Sequence, residues 1–263
     1  MKFEEQSFVV IGGGKRESIG LNFVKQLLAT DIEVKMKIAI FDIVDQTDAI
    51  ADLKSAFPKN NVLFRKVDVR NKVEIENTFK ELINTFGYVD VLANCAAISN
   101  ESDIEDVINT NLLGVMYGTL TAIEHMSVSK GGRGGMIVNV SSIAGLDPFF
   151  CLPAYCASKF GIIGFTRALA HQNLVAELGI KFVMICPGTT ITTLYQNVTS
   201  NMFGTNGADD ISNFAKMHGS QTPEECAKSL LRVLKVSENG STWILNNREF
   251  TEVKFPTYFR TEQ

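Results

Sequence analysis

The chain has 263 residues, 45% hydrophobic and 21% charged, with a formal net charge of -4. That is enough chain for one large α/β domain with a substantial core. It carries no basic footprint for nucleic acid, and no run approaches the roughly 18 apolar residues of a membrane span.

The first residues, 1–6, are acidic and polar, with no signal-peptide core. Five scattered cysteines (Cys95, Cys151, Cys156, Cys186 and Cys226) form no C-x-x-C pair. They read as small buried thiols of a reducing compartment, so a cytoplasmic protein is expected. Short apolar runs at 8–11, 37–41, 62–67, 89–93, 136–140, 181–185 and 242–245 predict strands. Helix-period stretches at 19–29, 73–86, 103–126, 154–178 and 223–235 lie between them, with a weaker one at 45–57. The repeated β-α rhythm predicts a single domain over 1–263, built on a doubly wound, mostly parallel, seven-stranded sheet with helices on both faces. Residues 127–135 read as a glycine-rich exposed loop. Residues 189–219 break the rhythm and leave the C-terminal end of a central strand. They are either a floppy insertion or, the preferred expectation, a substrate lid.

The first strand runs into Gly12-Gly13-Gly14-Lys15-Arg16-Glu17-Ser18-Ile19-Gly20 and then a helix. Glycine turn and helix N-terminus together make an anion site suited to a pyrophosphate. An ordinary tight turn would look the same. The second strand ends at Asp42, where a carboxylate accepts hydrogen bonds from an adenosine ribose diol and repels a 2′-phosphate. That favours NAD over NADP, although Lys15 and Arg16 weigh the other way. Asp68, before Val69, lies after the third strand. Either the carboxylate or its neighbouring backbone serves an adenine pocket, or it caps the next helix, a role Asn71 fits as well. Asn94-Cys95-Ala96-Ala97 ends the fourth strand with small side chains, which suit a flat ligand or tight packing. Asn109 and Asn111 sit among apolar residues, and Asn111 is either structural or holds a water.

The fifth strand delivers Ser141 and Ser142 at its end. Tyr155 and Lys159 then share one face of a helix, one turn apart. A phenol has a pKa near 10, and a neighbouring ammonium lowers it. Moving it to neutrality takes about 4 kcal/mol of differential stabilisation, and the product is a proton acceptor suited to physiological pH. Alone, this pair is as readily a half-buried tyrosine beside a surface lysine. Pro187-Gly188 makes a rigid turn after the sixth strand. The hydroxyls and amides of Thr189-Thr190-Ile191-Thr192 then grip a carboxamide or phosphate, or merely start the irregular segment.

In order and spacing these features resemble the short-chain dehydrogenase/reductase family over roughly residues 8–243. Segments 155–167 and 185–188 resemble the NAD-dependent hydroxyprostaglandin dehydrogenases. The tail around Gly240-Ser241-Thr242-Trp243 resembles the insect-type alcohol dehydrogenases. The resemblance implies a Rossmann fold that binds NAD through Gly14, Ser18, Ile19, Gly20, Asp42, Asp68, Val69, Asn94 and Ala96. Tyr155, Lys159, Pro187, Gly188, Thr190 and Thr192 complete that set. It also implies roles. Tyr155 is the general acid/base at the substrate oxygen, and Lys159 lowers its pKa and binds the nicotinamide ribose. Ser142 hydrogen-bonds the substrate oxygen, and Asn111 holds a water that links Lys159 to solvent. No metal is implied.

The chain departs from the family pattern at several points. Ser18 replaces the middle glycine of the usual loop, and Cys95 and Ala97 stand in the usual Asn-Asn-Ala-Gly. Leu152 replaces a glutamine that helps the hydroxyprostaglandin enzymes bind the substrate hydroxyl, which weakens prostaglandin as substrate. The expected function is an NAD-dependent oxidoreductase interconverting a secondary alcohol and a ketone on an apolar, lipid-like, prostanoid, steroid or terpenoid substrate. Phe149, Phe150, Leu152, Leu194, Met202 and Phe203 are expected to line or cover the pocket. The alternatives are a non-catalytic dinucleotide-binding module and an NADP-dependent carbonyl reductase. Helices over 103–127 and 154–178, apolar on more than one face, predict a homodimer.

Overall fold

The computed structural model describes residues 6–30, 35–44, 47–198, 201–204 and 207–256. The polar start at 1–5 and the first two residues of the helix expected over 45–57 lie outside the described residues. In chain order come β1 (Ser7–Ile11), α1 (Ile19–Thr30), β2 (Lys37–Asp42), α2 (Thr47–Ala56), β3 (Asn61–Lys66), α3 (Lys72–Phe86) and β4 (Val91–Asn94). Next are α4 (Ile104–Ile108), a π-helical turn over Asn109–Leu113, α5 (Gly114–Met126), β5 (Gly135–Val140), α6 (Pro153–Leu169), α7 (Gln172–Leu178) and β6 (Ile180–Pro187). The last are α8 (Thr193–Val198), α9 (Gly207–His218), α10 (Pro223–Val236), β7 (Thr242–Asn246) and β8 (Glu249–Glu252).

The sheet order is β3-β2-β1-β4-β5-β6-β7-β8. Every pairing is parallel except β7 with β8. β1 is buried along its whole length because helices cover both faces of the sheet. Its residues alternate between two cores. Phe8 and Val10 join the face covered by α1 and α10, and Val9 and Ile11 the face covered by α3 and α5. On α1, Leu21, Phe23, Val24, Leu27 and Leu28 are all buried. Each such side chain contributes about 1.5–3 kcal/mol relative to exposure. The winding reverses between β1 and β4, so a crevice opens beyond their C-terminal ends.

Four local features differ from the sequence expectation. The sheet has eight strands, not seven. β8 carries two glutamates and no apolar run, and it turns back from β7 through Asn247 and Arg248, both at positive φ (49° and 68°). Such a charged edge strand leaves no buried-strand pattern to read. The helix expected over 103–126 contains the π-helical turn, closed by the Gly114 N–H donating to the Asn109 carbonyl five residues back. The helix expected over 154–178 breaks at Ala170 and His171. Asn239 holds the break, donating to Ala170 O at 2.7 Å and accepting from Phe182 N at 3.1 Å. Residues 189–219, expected to be irregular, contain α8 and α9. Only Gly207 and Ile211 of α9 are buried, so its pattern is faint.

Candidate active site

A cleft of about 570 Å³ runs along the C-terminal ends of the strands, from the glycine turn to the segment carrying α8 and α9. At one end the turn after β1 folds tightly. Gly12 has φ 90°, and a Cβ there would sit 2.3 Å from Ala96 N. Gly14 is as constrained, since its Cβ would meet Val44 O at 2.2 Å. The backbone thus reaches places where no side chain fits. Ser18, in the middle-glycine position, is a helix cap. Its Oγ accepts from Leu21 N at 3.0 Å and donates to Lys15 O at 2.7 Å. Ser18 and Ile19 wall the cleft, whereas Gly14 and Gly20 lie behind them.

Asp42 sits on the cleft at the end of β2. Its carboxylate accepts from Gly14 N at 2.7 Å and from Val44 N at 2.9 Å, which fixes it against the glycine turn. Lys15 also lines the cleft, while Arg16 pairs with Asp52 on α2 at 2.7 Å. Asp68 and Val69 form the neighbouring wall. Asn71 caps α3, accepting from Glu74 N, so the capping alternative for Asp68 falls away. The Asp68 carboxylate instead grips Arg70, which also binds Asp106 at 2.7 Å. The Arg70 guanidinium holds the Asp68 carboxyl below the usual range. Arg70 is a cleft residue that sequence reasoning missed; its only signal was its place two residues past a strand-end carboxylate.

Two expected site residues point elsewhere. Asn94 is buried and donates to Thr119 Oγ1 at 3.1 Å and to Asn139 Oδ1 at 2.8 Å, behind the cleft wall formed by Cys95 and Ala96. Asn111 is fully buried. Its carboxamide accepts from Ile98 N and donates to Ile98 O, both at 2.8 Å, and to Ser158 Oγ at 3.1 Å. Both amide hydrogens are spent on protein, so the side chain clamps the loop after β4 to α6.

The central side chains do converge. Ser142 caps the turn after β5 by accepting from Ala144 N, and its hydroxyl lies on the Tyr155 side of the cleft, where it draws the phenol pKa down. Tyr155 and Lys159 both line the cleft, with exposures of 9% and 1%. Lys159 Nζ lies 5.5 Å from the Tyr155 ring centroid and donates to Val140 O at 3.1 Å. The electrostatics of this pair differ from the expectation. Burial pushes the Tyr155 phenol up to about 12, against the downward pull of Ser142. Burial also takes Lys159 down to about 8. Both groups have left water, and desolvation is the largest cause of each shift.

At the far end, Pro187, Gly188, Thr190 and Thr192 all line the cleft. The Thr190 hydroxyl donates to Gly188 O at 2.9 Å and accepts from Gln221 Nε2 at 3.2 Å. Thr192 Oγ1 accepts from Tyr195 N at the start of α8. Phe149, Leu152 and Leu194 wall this end, with Tyr195, Val198, Ile211 and Phe214. Of the other aromatic and sulfur residues expected here, Phe150 and Phe203 are exposed, and Met202 packs beneath the wall. Phe214 meets Phe149 edge-on at 4.9 Å. Glu17 Oε2 accepts from Thr193 Oγ1 at 3.2 Å, a bond that joins the glycine turn to α8 and that the sequence did not signal. Among the described residues there is no cluster able to hold a metal ion, and no helix is long and apolar enough to cross a membrane.

Comparison with known proteins agrees with this geometry. A family model described as short chain dehydrogenase matches residues 7–202. "Alcohol dehydrogenase 1" of Ceratitis cosyra is 35% identical over 259 residues, covering 98% of each chain. "Alcohol dehydrogenase-related 31 kDa protein" of Drosophila lebanonensis is 34% identical over 92% of this chain and 88% of its own. Among solved structures, levodione reductase superposes with a TM-score of 0.77 at 21% identity, covering 93% of this chain and 97% of its own. ElxO with NADP bound gives 0.74 at 27% identity, over 91% and 96%. The chain belongs to the short chain dehydrogenase family.

Proposed function

We propose that this protein is an NAD-dependent oxidoreductase that interconverts a secondary alcohol and a ketone on an apolar substrate. The observation that carries it is the convergence of Ser142, Tyr155 and Lys159 on one cleft with an apolar far end, Lys159 Nζ lying 5.5 Å from the Tyr155 ring centroid. The glycine turn supports a dinucleotide, because a Cβ at Gly12 or Gly14 would fill the cradle. Backbone N–H groups around Ser18 and Ile19 hold the diphosphate. Asp42 takes the ribose diol, and Asp68 and Val69 flank the adenine. Ala96, Pro187, Gly188, Thr190 and Thr192 flank the nicotinamide end. Gly14 and Gly20 shape the turn, and Asn94 supports the wall from behind.

A nicotinamide cofactor held there would supply the hydride acceptor for the carbinol carbon and, when oxidised, a positive charge. Tyr155 takes the hydroxyl proton. Lys159 anchors the nicotinamide ribose and adds a second positive charge. Positive charge beside the phenol would oppose the upward push of its burial. Ser142 holds the substrate oxygen while charge develops on it. Asn111 acts by fixing the loop after β4 against α6. Leu152 offers no hydrogen bond to a substrate hydroxyl, in keeping with a lipid-like, steroid or terpenoid alcohol or ketone rather than a prostanoid. Segment 189–219 is the lid over that substrate.

Tyr155→Phe should lower kcat for NADH formation by about 10²- to 10⁴-fold on a panel of apolar secondary alcohols. Turnover at the wild-type rate would end the tyrosine mechanism. One observation favours a second reading, an NADP-dependent carbonyl reductase: Lys15 lines the cleft near Asp42. Comparing the two dissociation constants separates them, since tighter NADP binding would overturn the role given to Asp42.

The assembly proposed is a homodimer through α4, α5 and α6. It is supported by Ile104, Leu120 and Phe160, exposed at 61%, 46% and 42% on those helices. A monomer at micromolar concentration in sedimentation would count against it. Five unpaired thiols fit a reducing, cytoplasmic setting.

A further inference from the structure

The first turn of α6 carries Tyr155, yet its N-cap residue, Leu152, makes no side-chain cap bond. Pro153 at the start has no N–H, so Ala154 and Tyr155 are the first donors left without a partner in the helix. Glu101, from the loop after β4, meets both. One carboxylate oxygen accepts from Ala154 N at 2.8 Å and the other from Tyr155 N at 3.0 Å. A negative charge also suits a helix N-terminus. The Glu101 backbone N–H donates to Asn201 O at 2.9 Å, and Asn201 belongs to segment 189–219 and lines the cleft. Asn111 holds the same loop through Ile98.

We propose that Glu101 is a positioning residue, the joint that sets Tyr155 and the lid in register with each other. This rests on the dehydrogenase reading above. Its carboxylate fixes the backbone of the general base, and its amide fixes the lid residue facing the substrate. By contrast, α3 is capped locally by Asn71 and α10 by the Thr222–Glu225 capping box. On α6 the cap comes from a distant loop that also touches the lid, so breaking it disturbs geometry at the reacting centre as well as helix stability. A displacement of about 1 Å there is enough to cost 10²-fold in rate.

The test compares Glu101→Ala, Glu101→Gln and Thr222→Ala in the full chain, measuring kcat, KM for the alcohol, Kd for NADH and Tm. For Glu101→Ala we expect kcat to fall about 10- to 100-fold and KM for the alcohol to rise, with Kd for NADH unchanged. Glu101→Gln keeps one oxygen acceptor and recovers part of kcat. Thr222→Ala, a cap lost on α10 rather than on α6, lowers Tm with kcat intact. Wild-type kcat in Glu101→Ala, or a fall in kcat that merely tracks Tm in all three variants, overturns the inference and leaves the dehydrogenase reading standing. A wild-type protein inert toward every alcohol and ketone would sink both.

Discussion

At the glycine-turn end, the cleft is walled by strand ends and by backbone groups whose places follow from sheet register: Asp42 bonded to Gly14 N, Gly12 against Ala96, Val69 after β3. At the other end the walls are side chains of α8, α9 and the loop before α6, meeting through apolar contacts such as Phe149 on Phe214. The first end is set by hydrogen bonds of fixed geometry, the second by packing that tolerates exchange. On the proposed reading, a cofactor would be recognised by discrete contacts and a substrate by graded ones. Substitutions at the two ends should therefore differ in kind as well as in size.

Between the two ends, the larger effect is expected from Asp42→Ser. Removing the carboxylate removes the repulsion against a 2′-phosphate, so the ratio of NADP to NAD dissociation constants should fall about tenfold or more. KM for the alcohol should stay put. If both cofactors weaken equally, Asp42 is only a brace for the glycine turn, and the contrast between the two ends is lost. Phe214→Ala is the matching change at the other end. An edge-on aromatic pair adds about 0.5–1.5 kcal/mol beyond burial, so KM for bulky apolar alcohols should rise about two- to tenfold. Kd for NADH should not move; a shift in it would show that the lid helices also shape the cofactor end.

The smallest effect is on stability and reports the floor between the two ends. The unfolded chain binds the Lys159 proton up to a pH of about 10.5, whereas the folded protein binds it only up to about 8. Between those values the unfolded state holds more protons, so stability rises with pH. For Tyr155 the folded value, about 12, exceeds the ordinary 10.0, so the folded state holds more protons in that interval and stability falls with pH. The buried thiols, also raised from 9.0, pull stability down from about pH 9, so the Lys159 contribution is read as a difference: Tm of the wild type relative to Lys159→Met should rise between pH 8 and 10.5. If that difference stays flat with pH, the buried ammonium does not contribute.

The parallel sheet was legible because fully buried strands leave runs such as 8–11 and 181–185 that nothing else mimics. The converging residues were legible for a related reason. Asp42, Ser142 and Pro187 stand at or just beyond strand ends, and strand ends meet at one rim. β8 was hidden because an edge strand needs no apolar face. α8 and α9 were hidden because their apolar residues face a cleft rather than the core. The direction of the Tyr155 shift was invisible, since spacing reports which charge is near but not how much water is gone. Asn94 and Asn111 were placed at the strand end and the helix correctly, while their orientation depended on Thr119, Asn139 and Ile98, which only the folded chain brings alongside. Glu101 and Arg70 escaped for the same reason.

The two ends of segment 189–219 are tied together. Thr190 and Gln221 form a parallel bridge, with Gln221 N donating to Thr189 O and Ile191 N to Gln221 O at 2.9 Å each. Gln221 Nε2 fastens the knot to Leu245 O on β7 at 2.7 Å. A segment tied off at its neck can change length without tugging on the sheet, provided its inner contacts, Thr193 with Glu17 and Asn201 with Glu101, are kept. In evolutionary terms it behaves as a cassette with two fixed pins: insertions or deletions between them would retune the far end of the cleft while the inherited framework beneath goes on working.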